Sequence, residues 1–289
     1  MKVAVKDQPS VYTLIRRGSN TWRISELLPR LNVIYGDLLN LGQIASQLKE
    51  VHPDVCVHFA WYAVPGKYMT SLENLPMISA TTNLARLLSE SGCRRFIGVG
   101  TCVEYDTQIG LLSENSRTGP TSRYGASKLA TFTALSKLSK ETGLDVGWAR
   151  LFYQYGPFEP PTRFVPSVVQ RLLKNEGVNV RNGDLIRDFL FIEDTARAIW
   201  AFAQSDLSGP VNVGSGDPVT LREVAVRIGE IIGCPELVST NSGPSEDEPR
   251  SITADVSKLK NGTRWVPSHT LEQGLRETIN WWQTQNHQN

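Results

Sequence analysis

No apolar run in this sequence approaches the roughly 18 residues needed to span a membrane. Its first residues, MKVAVKDQPS, hold too short an apolar stretch for a secretory signal peptide. Net charge is also nearly missing: 30 basic against 29 acidic residues leave +1, which gives no ground for binding nucleic acid or an anionic membrane surface. Cysteine is scarce. Cys56, Cys93, Cys102 and Cys234 lie too far apart for the close pairs of a zinc site or a disulfide scaffold, so they read as reduced thiols of a cytoplasmic protein, and no metal is expected. There is no internal repeat and no low-complexity tract. Asn261 opens an Asn-Gly-Thr sequon, but without a secretory signal it reads as a turn. What remains, 40% hydrophobic and 20% charged over 289 residues, is the composition of a water-soluble globular chain with an ample core.

Short apolar runs alternate with longer helix-like segments, the pattern of parallel strands joined by helical crossovers, which predicts a doubly wound α/β sheet. Strands are expected at 11–15, 32–35, 55–59, 96–99 and 146–152. Ile44, Ala45 and Leu48 space one helix; Leu84, Leu87 and Leu88 space another that stops at Gly92. After Pro157 the prolines cluster and the elements become irregular. This divides the chain into a main domain, 1–157, and a smaller lobe, 158–289, with segments of the latter returning to the former. The stretch 241–249 is a polar, acidic loop that suits a mobile segment near a site as well as an inert connection. Trp281 and Trp282 read as a helix anchored on the core.

Tyr124 and Lys128 lie four apart in TSRYGASKLATFTALSKL, which reads as one long helix, so both side chains project from one face. An ammonium beside a phenol stabilises the phenolate and lowers its pKa from about 10 toward working pH. Thr101 ends the apolar run RRFIGVGT at the carboxyl end of a strand, where open α/β sheets place their ligands. A Tyr and Lys at this spacing also occur by chance on helix surfaces; the ordered set of GTCVEY, YGASK and RLFYQYGP argues against accident. His58, ending a buried strand, is read as a core residue without a chemical role.

With these motifs, and with GDL at 36–38, HFAW at 58–61, RDFLFIED at 187–194, VNVGSG at 211–216 and the closing RWVPSHTLEQGLRETINWW, the sequence resembles the extended short-chain dehydrogenase/reductase family of nucleotide-sugar epimerases, dehydratases and ketoreductases. The resemblance implies a Rossmann-like fold. It makes Tyr124 the acid/base, Lys128 its activator and nicotinamide-ribose anchor, and Thr101 the substrate's hydroxyl partner. Asp37 and Leu38 would meet the adenine, Ala60 and Trp61 would lie along the cofactor, and Leu151 would touch the nicotinamide. Arg187 matches the arginine that grips the substrate diphosphate, with a plain salt bridge as its alternative reading. Arg250 is a looser second candidate that solvent exposure would explain equally well. A homodimer through the Tyr124 helix is implied, with Phe132, Leu135 and Leu138 on the interface or, alternatively, on the subunit's own core.

Two departures from that family shape the expectations. The strand, glycine-rich GxxGxxG turn and helix that cradle a cofactor pyrophosphate are not found ahead of the VYTLIRR strand. MKVAV is then either the stub of the missing helix, the favoured reading, or a strand of an antiparallel hairpin; a connection of five residues is too short for a parallel crossover. Without the cradle, weak NAD(P) binding and an unpaired seam or edge in the sheet are expected. Second, the Asp-Glu pair that family dehydratases carry after the threonine is Cys102-Val103 here, and Glu104, placed on a strand, is out of register. Dehydration is therefore disfavoured against 4-ketoreduction or 4-epimerisation of a nucleotide-linked deoxysugar. Tyr153 and Met77 stand where family members usually have asparagines, Tyr153 at a substrate-binding position. Arg16 and Arg17, in place of an acidic ribose partner, tilt the cofactor from NAD toward NADP, with a solvated basic turn as the alternative. The competing function is a sugar-nucleotide binding homologue or partner subunit that has lost the cofactor.

Overall fold

The computed structural model describes residues 1–7, 10–241 and 248–286. Runs rich in Val, Ile and aromatic residues form short strands, and the longer segments of 3.6-residue period form helices between them. The chain opens with α1 (Lys2–Asp7), β1 (Tyr12–Ile15), β2 (Asn32–Tyr35), α2 (Ala45–Val51), β3 (Val55–His58), α3 (Asn74–Glu90) and β4 (Arg95–Thr101). Next come β5 (Leu111–Leu112), α4 (Arg123–Thr142), β6 (Asp145–Leu151), β7 (Tyr153–Tyr155), α5 (Phe164–Leu173), β8 (Val178–Arg181), β9 (Ile186–Phe191) and α6 (Ile192–Ala203). The remainder is β10 (Gly209–Val213), β11 (Pro218–Thr220), α7 (Leu221–Ile232), β12 (Val238–Asn241), β13 (Ser251–Ala254), α8 (Ser257–Thr263) and α9 (Leu271–Asn286). The five expected strands are present, with no end shifted by more than two residues. Asn261 lies inside α8, not in a turn.

Two compact units share these elements: Met1–Glu104, Pro120–Arg150 and Ile199–Val211 make one, while Tyr105–Gly119, Leu151–Ala198 and Asn212 onward make the other. The first is organised by β4 and β6, which are buried along almost their whole length, as central strands of a parallel sheet must be. They lie in the order β10-β6-β4-β3. Phe96, Trp148, Leu84, Leu88 and Leu135 form the core that this sheet shares with α3 and α4.

The sheet of the first unit is interrupted. β1 and β2 pair in parallel, Tyr12 opposite Asn32 through Ile15 opposite Tyr35, as a separate two-stranded ladder. Leu14 of β1 and Cys56 of β3 pack against the same core, yet no ladder joins β1 to β3 among the described residues. A seam of this kind was the expectation for the sheet. Ahead of it MKVAV is helical, with Val5 buried and its carbonyl accepting from Arg30 at 3.1 Å, so the hairpin alternative falls.

In the second unit, β9 lies between β11 and β13 and also pairs β7 in parallel. Phe189, Phe191, Tyr155, Val169, Ile228 and Leu275 build its core, with Trp282 buried on α9 as expected. The loop foreseen at 241–249 lies, over 242–247, outside the described residues.

Candidate active site

β4 delivers Thr101 to its carboxyl end, and two glycines make the approach possible. A Cβ on Gly98 would stand 2.3 Å from the Trp148 ring, and one on Gly100 would stand 2.2 Å from Trp148 Nε1. Only bare backbone lets the Trp148 indole of β6 lie across β4. On α4, Ser122 caps the first turn, accepting from Gly125 N at 3.1 Å, and Gly143 ends the helix in the left-handed conformation, φ 75°. Gly125 itself carries the geometry: a Cβ there would meet the Val103 carbonyl oxygen at 2.4 Å. The helix start therefore seats directly on the turn after β4, which brings the Tyr124 phenol and the Thr101 hydroxyl together. The loop before α3 closes the other side: Tyr124 N donates to Met69 O at 3.1 Å, and the Tyr68 ring meets the Tyr124 ring edge-on at 4.8 Å.

Lys128, one turn along α4, is 3% exposed. Its Nζ donates to Val99 O at 2.6 Å and sits 3.8 Å from the centre of the Trp61 ring, a cation–π contact, while the Tyr124 ring centre is 5.9 Å away. Trp61 is fixed in turn, its Nε1 donating to the fully buried Asn74 Oδ1 at 2.8 Å. Thr101, Tyr124 and Lys128 thus converge in one unit of the protein.

Their electrostatics differ from the expectation. Burial holds the Tyr124 phenol above its ordinary pKa, helped by Tyr68, Glu104 and Cys102 and opposed by the Thr101 hydrogen bond. Lys128 does not pull it down, because its ammonium is turned toward Val99 O and Trp61. Burial instead lowers Lys128 to about 7, against the favourable charge of Glu104. At neutral pH the phenol is protonated and the amine stands near its midpoint. His58 is buried and neutral: burial first, then the Lys128 charge, lowers it to about 3, and its Nε2 lies 3.0 Å from Thr81 Oγ1.

Glu104 is the residue that the strand periodicity misplaces. β4 ends at Thr101 and residues 102–104 form a 3-10 turn, which swings the Glu104 carboxylate inward, completely buried. It accepts from Thr101 N at 2.8 Å, Trp148 Nε1 at 2.9 Å and Arg150 Nε at 2.9 Å. The signal was available: a tryptophan and an arginine inside the apolar run 146–152 call for a buried acidic partner.

The remaining predicted residues are spread along the chain. Arg16 and Arg17 are exposed after β1, with Arg17 over the Tyr35 ring at 5.5 Å. Asp37 is partly buried and caps the following turn, accepting from Leu39 N at 2.9 Å; Leu38 points into the core. Ala60 is exposed beside Trp61, and Met77 is a core residue. In the second unit Leu151 is half-buried, and Arg187, 3% exposed, lies over the Tyr153 ring at 5.7 Å. Arg187 bonds Glu248 Oε1 at 3.0 Å and Pro249 O at 3.0 Å, an ion pair between a buried guanidinium and an exposed carboxylate. Arg250 is exposed, and its carbonyl accepts from Ile186 N at 2.8 Å.

These residues fit a nicotinamide dinucleotide at one end. Two hydroxyls and an amine are placed for the ribose and the reacting carbon, whereas among the described residues no glycine-rich turn between a strand and a helix lies ahead of β1 to take a pyrophosphate. Trp61 also covers the amine that the ribose would need.

Comparison with known proteins bears on the whole chain. A family profile described as "NAD dependent epimerase/dehydratase family" matches residues 2–214. The dTDP-glucose 4,6-dehydratase of Xanthomonas campestris pv. campestris (strain ATCC 33913) is 27% identical over 277 residues, covering 87% of this chain and 78% of the relative. Among solved structures, the UDP-glucose 4-epimerase of Thermotoga maritima with UDP-glucose superposes with a TM-score of 0.87 at 20% identity, over 99% of this chain and 94% of that one. The UDP-glucuronic acid 4-epimerase of Bacillus cereus in complex with NAD gives 0.82 at 22% identity, over 97% and 90%. At such identities the superpositions establish a shared Rossmann-type α/β fold; the profile, spanning well over half of the residues, establishes kinship. The chain belongs to the NAD dependent epimerase/dehydratase family.

Proposed function

We propose that this protein is an NAD(P)-dependent 4-ketoreductase or 4-epimerase acting on a nucleotide-linked deoxysugar. The observation that carries the reading is the Thr101–Tyr124 hydroxyl pair at the carboxyl end of β4, with the Lys128 amine one helical turn behind it. Bound NAD(P) supplies the hydride donor or acceptor at the sugar carbon. Tyr124 Oη gives its proton to the oxygen on that carbon or takes it back, and Thr101 Oγ1 orients the same oxygen by a hydrogen bond. Arg187 serves the diphosphate, which requires it to exchange the Glu248 carboxylate for phosphate oxygens. Tyr153, stacked beside it, lines the sugar, and Arg250 is a second, exposed anion partner. Asp37, Ala60 and Leu151 are assigned to the cofactor's path, and Arg16 and Arg17 favour NADP over NAD.

Elimination of water is disfavoured on chemical grounds. Cys102 is a buried thiol, Val103 has no proton to give, and the Glu104 carboxylate is occupied by Thr101, Trp148 and Arg150. The Tyr124→Phe variant tests the reading: turnover of dTDP- and UDP-linked sugars should fall by about 10²–10⁴-fold, with UDP-sugar binding retained. Unchanged turnover would remove Tyr124 from the chemistry.

Trp61 on Lys128 supports one competitor, a sugar-nucleotide binding homologue that has lost its cofactor. In that case UDP-sugars bind by calorimetry while neither NADH nor NADPH does, and Trp61→Ala does not restore them. A homodimer through α4 belongs to the first reading, but not on the residues first expected. Phe132, Leu135 and Leu138 pack against the core, leaving Ala126, Leu129, Ala130, Thr133 and Ala134 on the outer face.

A further inference from the structure

Glu104 is a poor choice for stability alone. Bringing a carboxylate and a guanidinium into a dry core costs several kcal/mol of desolvation per ion, which well-packed apolar residues of the same volume avoid. Its recorded partners, Thr101 N, Trp148 Nε1 and Arg150 Nε, are all N–H donors, so a proton on the carboxyl group would find no acceptor among them. Although burial pushes Glu104 up, the Arg150 charge and these donors oppose the shift, and the carboxylate is the form that satisfies the site.

That charge is lodged in the wall of the relay. It is bonded to the backbone of the very residue that presents the Thr101 hydroxyl, and Trp148, whose Nε1 it holds, lies with its ring centre 5.9 Å from Lys128 Nζ. Lys128 in turn is anchored on Val99 O, two residues before Thr101 on β4. The other groups facing this cluster are Arg150 of β6, Cys102 of the turn, His58 of β3 and Tyr68 of the loop before α3. His58 is neutral, and only Arg150 carries a fixed opposite charge, spent on Glu104.

We propose that Glu104 is the positioning residue of the Thr101–Tyr124–Lys128 relay: it fixes the strand end that presents Thr101, and its negative charge beside the cluster biases the phenol and the amine toward the proton-bearing side. The role of the relay in catalysis rests on the function proposed above; the effect of Glu104 on it does not. A negative charge disfavours the phenolate and favours the ammonium, and the two shifts have the same sign.

The test needs neither substrate nor cofactor. The Lys128 amine is titrated by ¹⁵N-lysine NMR, with Lys128→Met for assignment, and the Tyr124 phenol by absorbance at about 295 nm against Tyr124→Phe, each in the wild type and in Glu104→Gln. Both midpoints should fall in Glu104→Gln, that of Lys128 by on the order of tenfold in proton affinity. A purely structural role predicts otherwise, because loosening the core hydrates Lys128 and moves its midpoint up. Should Glu104→Gln fail to fold, judged by near-ultraviolet circular dichroism, Glu104→Leu/Arg150→Met removes both ions together. The pair also takes away the Arg150 charge, which offsets part of the effect of losing Glu104, the charge that acts on Lys128 directly, so here Lys128 is expected at or slightly below its wild-type midpoint. A midpoint of Lys128 that rises, or a Tyr124 midpoint that stays put in the folded Glu104→Gln protein, overturns the proposal. Failure of the catalytic reading shows elsewhere, as an active Tyr124→Phe enzyme.

Discussion

Lys128 is the residue at which burial and function pull apart most clearly. An amine with a midpoint at about 7 in the folded state and 10.5 in the unfolded one binds fewer protons folded than unfolded between those values. Stability must therefore rise with pH across that window, the folded state carrying the full cost of the buried charge below pH 7 and none above 10.5. The shift corresponds to an upper bound on the order of 4–5 kcal/mol. Lys128→Met should accordingly gain about 1–3 kcal/mol over the wild type in urea unfolding at pH 6, with the gain gone near pH 10.5. An equal difference at both pH values would show that the amine is not buried. Helical spacing alone placed Tyr124 and Lys128 on one face, correctly; it could not tell that Val99 O and the Trp61 ring, both distant in sequence, would claim the ammonium and leave the phenol high. His58 makes the complementary case. Lowered to about 3 from 6.5, it adds stability that is present above pH 6.5 and is lost as pH falls toward 3. His58→Gln should flatten that limb of an acid-unfolding curve, provided the Thr81 contact is kept.

At the level of elements, the strands were legible because each is a short apolar run bounded by turn residues, and α4 because its cap, its period and its Gly143 stop agree. Glu104 was not, for a physical reason: alternation along a strand assigns its direction only while the strand continues, and β4 gives way to a 3-10 turn at Cys102. The interruption of the sheet was legible from the residues ahead of β1, which are too few for a parallel crossover. Its consequence is mechanical. β1 and β2 hold each other through one parallel ladder, whereas β4 is paired on both sides. Two-stranded pairing is marginal by itself, so β1 and β2 should open by local fluctuation well below the global unfolding free energy. In native-state hydrogen exchange the amides of Leu14 and Ile34 are expected to exchange at least about 100-fold faster than those of Ile97 and Ala149. Equal protection across the four would mean that something bridges the seam.

Across the whole molecule, the proposed catalytic end and the pyrophosphate end of the expected cofactor site are unequally provided for. The hydroxyls of Thr101 and Tyr124 and the amine of Lys128 are assembled by β4 and α4, elements tied into the deepest core, so they do not depend on a ligand for their positions. The far end has Asp37 committed to a turn, Leu38 committed to the core and exposed arginines after β1. A glycine-rich turn at a helix amino terminus would add several charge-assisted hydrogen bonds, each worth about 1.5–3 kcal/mol, and the loss of two or three of them lowers affinity by orders of magnitude. Opening Trp61 away from Lys128 sets a further cost against binding, since a cation–π contact of this kind is worth about 0.5–2 kcal/mol. Titration of the 289-residue chain with NADPH and NADH should therefore give dissociation constants well above the micromolar range, NADPH the tighter of the two through Arg16 and Arg17. Trp61→Ala should tighten both by about 2–30-fold by freeing the amine, the range a cation–π contact of this size converts to. Low-micromolar binding by the unmodified chain would show that other backbone supplies the cradle, and weaker binding by Trp61→Ala would make the indole a cofactor contact rather than an obstacle.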